Sequence, residues 1–214
     1  AAAAPGFTWK AEPAEVVFGK QLATKTKLIA ARGMGYDDVV AVTLQPPQNG
    51  LPPGIAVAVK NIDKGAGEVE IAITADDKAP LGEFTIGLLG TLKKDKETVV
   101  QPVALRLRLA APLTTTAAAG EGKLAAGGEL AVTVKIERNP ALSGPVDVAF
   151  ANLPAGVTAA AATIPADQTE ATIKLTAAAD AAKGAVNNVQ VKTTATVNNV
   201  KFEAVSPNLA LTVE

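Results

Sequence analysis

The chain has 214 residues, a formal net charge of −1, and neither cysteine nor histidine. Disulfides, thiolate metal sites and cysteine nucleophiles are therefore excluded, together with the Ser-His-Asp triad and histidine-zinc chemistry. Charge is evenly spread: residues 1–112 carry 13 basic and 12 acidic side chains and residues 113–214 carry 7 and 9, so no basic stripe awaits nucleic acid.

The opening Ala1 to Gly6 lacks the basic start and long apolar core of a signal peptide, so any export signal is expected to have been removed or to lie outside this stretch. Downstream apolar runs are short and broken by Gly, Pro or charge, which leaves no transmembrane helix. Strands with a period of two are expected near 14–18, 22–31, 39–45, 55–60, 68–75, 83–92 and 98–109. In Val69-Glu70-Ile71-Ala72-Ile73 the alternation puts one face in a core and the other in water. Turn residues separate the strands: Gly33, Gly35, Pro46-Pro47, Gly65 and Gly82, then Pro140, Gly144, Pro154, Gly184 and Asn198-Asn199.

The strand series occurs twice. Leu51-Pro52-Pro53-Gly54-Ile55 matches Leu153-Pro154-Ala155-Gly156-Val157, and across positions 51–86 this 102-residue shift gives 11 identities in 36. Upstream the shift is 106, matching Arg32 with Arg138, Tyr36 with Leu142, and Val40, Val42 and Leu44 with Val146, Val148 and Phe150. The four-residue difference falls between Gln45 and Gly50, where a change in loop length costs little. Leu105, Leu107 and Leu109 match Leu209, Leu211 and Val213. Two domains follow, 1–112 and 113–214, with the boundary near Ala111-Pro112. The fold class is all-β: two tandem immunoglobulin-like or fibronectin type III-like sandwiches of about seven strands each. Alanine, at 44 residues, raises helix propensity in runs such as Ala177 to Ala182, but the aligned stretch contains Pro80, so a loop or single turn is expected there.

An arginine-ended strand, a Val-x-Val strand, Leu-Pro-x-Gly-Val/Ile, an isoleucine, an acidic-led strand and Ala-x-x-Gly follow in order. This pattern resembles the bacterial immunoglobulin-like repeats of secreted multidomain proteins, notably of planctomycetes, often beside pre-peptidase C-terminal domains and peptidases. It is also similar to sandwich domains attached to some bacterial glycoside hydrolases. The second repeat carries it best, in Arg138, Leu142, Gly144-Pro145-Val146, Leu153 to Val157, Ile164-Pro165-Ala166 and Leu175-Thr176-Ala177. The first departs at Asp38-Val39 and Asp63-Lys64. The resemblance implies an extracellular, periplasmic or cell-surface, non-catalytic spacer or docking module whose partners are other domains of the same polypeptide or a surface protein. The alternative is a carbohydrate- or surface-binding accessory module of a secreted hydrolase or peptidase. It supplies no catalytic residue.

The residues themselves nominate no catalytic, cofactor or metal site. Gly33-Met34-Gly35, Gly65-Ala66-Gly67 and Gly120-Glu121-Gly122 lie outside any βαβ unit and read as tight turns rather than a dinucleotide cradle. Asp37-Asp38 and Asp76-Asp77 could give calcium some oxygen ligands, but the Asp-x-Asp-x-Asp spacing is missing and solvated turns are the better account. Ser143 and Ser206 have no activating base. A glycosidase needs only two carboxylates, yet no acid pair sits in a cleft motif. Among the aromatics, Phe84 and Phe150 are expected in core strands and Tyr36 at the end of the sandwich. Phe7 and Trp9 precede the first expected strand and either form an exposed patch or pack on the first domain. Lys93-Lys94-Asp95-Lys96-Glu97 reads as a solvated hairpin tip, and Lys25, Lys27, Arg106 and Arg108 as charges protecting strand edges.

Overall fold

The computed structural model describes residues 6–45 and 50–214, so the Pro46-Pro47 turn and most of the Gln45 to Gly50 length change lie outside the described residues. The chain divides into two compact units, Ala1–Ala111 and Pro112–Glu214. Every regular element in the described residues is a strand.

In the first unit the strands are β1 (Phe7–Glu12), β2 (Glu15–Gly19), β3 (Ala23–Arg32), β4 (Val40–Gln45), β5 (Ile55–Ala58), β6 (Glu68–Ala75), β7 (Gly82–Lys94) and β8 (Glu97–Ala110). They form two four-stranded sheets, ordered β1-β3-β6-β5 and β2-β8-β7-β4. The chain enters in the first sheet, antiparallel to β3, then crosses to the second and runs parallel to β8. With the first strand shared between sheets, this is the immunoglobulin-like arrangement, and the two inner faces supply one core. Leu28, Ile71 and Ile73 from one sheet meet Ile86, Leu88, Leu105 and Leu107 from the other in that core.

The second unit repeats the plan with β9 (Leu113–Ala118), β10 (Lys123–Leu124), β11 (Glu129–Arg138), β12 (Val146–Ala151), β13 (Val157–Ala159), β14 (Ala162–Ile164), β15 (Glu170–Ala177), β16 (Gly184–Val197), β17 (Val200–Val205) and β18 (Leu209–Val213). Its sheets run β13-β15-β11-β9 and β10-β18-β16-β12-β14, with β17 also on β16. The last strand is broken at Ser206. That buried hydroxyl accepts from the Val191 N–H at 2.9 Å and donates to the Pro207 carbonyl at 2.8 Å. In the first unit a single bridge, Val40 to Ile62, stands where β14 pairs with β12. There Asn61 Oδ1 accepts from the Val42 N–H at 3.0 Å, a side chain doing what a strand does in the other copy.

Seven of the eight strands of the first unit fall where the alternation places them. The eighth, β1, corrects the reading of the amino terminus. Phe7 and Trp9 belong to it and are 1% and 9% exposed. Trp9 packs across the sandwich over Gly90 of β7, where a Cβ would come within 2.9 Å of the indole, and its Nε1 donates to the Gln101 carbonyl at 2.9 Å. The register puts Thr115 and Thr193 at the equivalent points of the second unit, where their hydroxyls hydrogen-bond to each other. One gap is thus filled by a large and a small residue in one copy and by two medium polar residues in the other.

The edge reading of the charged strands is also corrected. Lys25 and Lys27 lie on β3, and Arg106 and Arg108 on β8, each an inner strand of its sheet. They point to water beside acidic neighbours, with Lys25–Glu70 and Lys27–Glu68 both at 2.7 Å. Exposed pairs of this kind contribute little to stability. Alternation reports which face a residue takes, but not its strand's place in the sheet. The alanine-rich stretch after Ala177 forms a turn and no helix.

The repeated Leu-Pro-x-Gly segment is a turn with a left-handed glycine, φ 76° at Gly54 and 80° at Gly156. Its leucines are only half-buried, and in the second copy Pro154 is the buried member. A Cβ on Gly156 would lie 2.8 Å from the Ala181 Cα. Gly156→Ala should therefore cost the second unit about 2–4 kcal/mol, from the disfavoured φ and the backbone clash together. Leu153→Ala should cost less, about 1–2 kcal/mol, because less apolar surface is lost than for a fully buried leucine. Urea unfolding of the two variants checks the order.

Candidate functional site

In sandwiches of this kind the loops between strands are the usual place for binding and catalytic side chains. In the first unit the loop after β3 is organised by the last residue of that strand. Arg32 donates through Nε to the Ala66 carbonyl (3.0 Å), through Nη1 to the carbonyls of Tyr36 (3.2 Å) and Asp38, and through Nη2 to that of Asp63 (3.0 Å). Two connections that are distant in sequence are thereby tied to one planar cation. Arginine suits this task because its forked donors reach several acceptors at fixed angles and it stays charged.

The second unit uses the same device. Arg138 ends β11 and donates to the carbonyls of Gly144 (2.7 Å), Pro165 (3.0 Å) and Gln168 (2.6 Å). Its Nε is buried without a partner, so this copy of the knot has one contact fewer than Arg32 makes. The sequence match of Arg32 with Arg138 contains this correspondence, although nothing in the sequence says that the acceptors are backbone carbonyls.

At the same end of the first unit, Tyr36 sits half-buried against the core with its ring over Gly6. Its hydroxyl donates to Glu97 Oε2 at 2.9 Å, and Lys94 Nζ lies 4.3 Å from the ring centroid. The β7–β8 hairpin tip is thus a working contact, not merely a solvated loop. The hydrogen bond to the Glu97 carboxylate, with some burial and the carboxylate's charge, holds the Tyr36 phenol above its ordinary pKa of 10.0. Its counterpart Leu142 is fully buried, as expected of a residue closing the end of a sandwich. Met34, between Gly33 and Gly35, is 100% exposed.

The other candidates lie apart from one another. Asp37 and Asp38 are exposed in the loop that Arg32 holds, and Asp38 faces Lys64 at 3.5 Å. Asp76 accepts from the Lys78 N–H at 2.8 Å, a local turn, with Asp77 exposed beside it. Ser143 is exposed; Ser206 is the buried strand-break described above. Phe84 and Phe150 are half-buried on β7 and β12. Among the described residues no group of three or more acidic side chains gathers as a metal site would require. A shallow depression of about 410 Å³ on the outer face of β2, β8 and β7 contains Glu15 and Glu83. Arg106 and Arg108 stand beside these carboxylates in the register, with Arg108 Nε 3.9 Å from Glu83.

No protein-family model and no curated protein matches the chain. Solved structures that match the chain include the adhesin InvE of Yersinia pseudotuberculosis, at 14% identity and TM-score 0.33, covering 98% of this chain and 59% of that one. The ICAM-5 D1-D4 ectodomain fragment matches at 9% identity and TM-score 0.36, over 97% of this chain and 51% of that one. A protein of unknown function from Porphyromonas gingivalis matches at 11% identity and TM-score 0.32, over 93% and 99%. The chain spans between half and three-fifths of the first two structures.

Arg138→Ala leaves three backbone carbonyls without their charged donor and should lower the stability of the second unit by about 2–4 kcal/mol in a urea melt. Arg138→Lys should recover less than half of that loss, since a single ammonium cannot span the fork. Tyr36 is the one tyrosine of the chain, so its ultraviolet titration is unobstructed. It should titrate above 10.0, and Glu97→Gln should bring it back toward that value. Because the folded pKa is the raised one, the stabilisation from this contact is complete below the unfolded value and is lost as pH rises through the folded value.

Proposed function

We propose that this chain is a non-catalytic structural or interaction module, two sandwiches that space or dock neighbouring domains of a larger secreted or cell-surface bacterial protein. The observation that carries the reading is the arginine knot made in both copies. The loops at that end are held through their backbones by a half-buried cation in each copy, so the scaffold's most adaptable segments are fixed in shape. A fixed, repeated unit suits positioning better than chemistry. In this reading each repeat is a module that folds on its own core, and its surroundings are those implied by the resemblance to planctomycete-type repeats. The burial of Phe7 and Trp9 removes the aromatic pair that a carbohydrate platform would have used, which favours docking over sugar binding.

The acid pair on the outer sheet face supplies the direct test. The purified chain should show no turnover above blank on a panel of peptide, ester and glycoside substrates. Turnover that disappears in Glu15→Gln or Glu83→Gln would overturn the reading, because it would give those carboxylates a catalytic role.

A further inference from the structure

The two units carry different side chains at equivalent points of one sheet face. On the outer face of β4, β7 and β8 the register sets Ala41 beside Thr91 and Val100, and Thr43 beside Leu89 and Pro102. The same rows in the second unit read Asp147, Thr194, Glu203 and Ala149, Lys192, Val205. Asp147, Lys192 and Glu203 thus correspond to Ala41, Leu89 and Val100. The second unit keeps the charges expected of a solvated face, with Lys192 and Glu203 paired at 3.0 Å. In the first, Val100 is 49% exposed and Leu89 half-buried with nothing charged beside them in their rows.

The central strand of this face is self-complementary. Glu83, Thr85, Gly87, Leu89, Thr91 and Lys93 of β7 point outward, alternating with the core residues Ile86, Leu88 and Leu92. About a midpoint at Leu88, Glu83 exchanges with Lys93, Thr85 with Thr91, and Gly87 with Leu89. Two copies related by a two-fold axis between them, in the plane of the sheet and perpendicular to β7, would set each Leu89 over the notch at Gly87 and each Glu83 against Lys93. An isologous interface demands this match of a surface with itself. On β8 the same operation sets Pro102 against Ala104 and Val100 along the aliphatic stem of Arg106. Gln45 borders the notch, its Cβ 3.3 Å and its Oε1 3.4 Å from where a Gly87 Cβ would stand, so its exposed side chain must turn aside to admit Leu89 of the second copy.

We propose that the outer face of β4, β7 and β8 in the first unit is a homotypic docking surface, covered by the same face of a second copy of this chain. The inference rests on reading the chain as an interaction module and adds the face and the partner. Three strands over the three central outward positions give an uncharged patch of roughly 300 Å² per copy from strand spacing alone, with Leu89, Val100, Pro102, Ala41 and Ala104 as its apolar members and Thr43, Thr91 and Gln45 as polar ones. With its charged ends the face comes to roughly 500 Å² per partner by the same spacing, below the standard interface size, so association is weak and is strengthened where copies are tethered side by side.

Sedimentation velocity of the full chain, from about 10 μM to about 1 mM, should show a reversible monomer–dimer equilibrium. Leu89→Lys, which installs the residue the second unit carries at this point of the same sheet, should leave the circular dichroism spectrum unchanged and weaken the dimer by at least about tenfold. Glu83→Lys alone should weaken it, and Glu83→Lys combined with Lys93→Glu should restore it. A chain that stays monomeric at every concentration overturns the proposal and leaves the face to a different protein. A dimer indifferent to Leu89→Lys, or charge reversals that fail to compensate, overturn it equally. None of these outcomes bears on the absence of turnover, which the substrate panel tests separately.

Discussion

Each sheet of this chain has one face that water solvates only at a cost, and within its unit the surface able to cover that face is the inner face of the other sheet. Alternation along every long strand creates the requirement, and the crossing of the chain from β1 to β2 helps to meet it. The first strand bonds to β3 in one sheet and its continuation bonds to β8 in the other, so backbone hydrogen bonds tie both layers to one segment. The second unit repeats this with β9 and β10. Across the gap the requirement is volume rather than identity. Trp9 with Gly90, and Thr115 with Thr193, fill the same place, the second pair satisfying its hydroxyls mutually because a buried polar group without a partner would be costly.

Two copies of one scaffold in one chain act as an internal control. The features they share follow from the geometry of the sandwich: the arginine that ends β3 and β11, the left-handed glycine after Leu-Pro, and the isoleucine at Ile62 and Ile164. Each serves backbone groups or core volume and has little freedom to vary. The copies part where the scaffold makes no demand. The first has Tyr36, Lys94 and Glu97 at its tip and an uncharged central face on β4, β7 and β8; the second has Leu142, an Asn198-Asn199 turn and a charged face. Any specific role lies with the differences, and the shared arginine knots hold the loops around them in shape.

Much of the fold was legible in the sequence because strands announce themselves by period and the repeat doubled every signal. The 102- and 106-residue shifts agree with the observed registers, pairing Ile71 with Ile173 and Val42 with Val148 through their equivalent partners. The strand Phe7–Glu12 was not legible: it follows an alanine-rich start, and its large apolar members, Phe7 and Trp9, are residue types that also make surface patches. The carbonyl acceptors of the two arginines were hidden for a different reason, since a backbone acceptor leaves no mark on residue type.

The sequence by itself determined the strand class, the duplication, the turn glycines and which side chains face inward, all of which depend on neighbours a few residues away or on comparison of the two copies. Only the tertiary structure decided the order of strands within each sheet. That order moved Lys25, Lys27, Arg106 and Arg108 from supposed edges to inner strands and brought Ala41, Leu89 and Val100 onto one face. Strand order is a matter of long-range pairing, and alternation along one strand carries no information about which strand lies beside it.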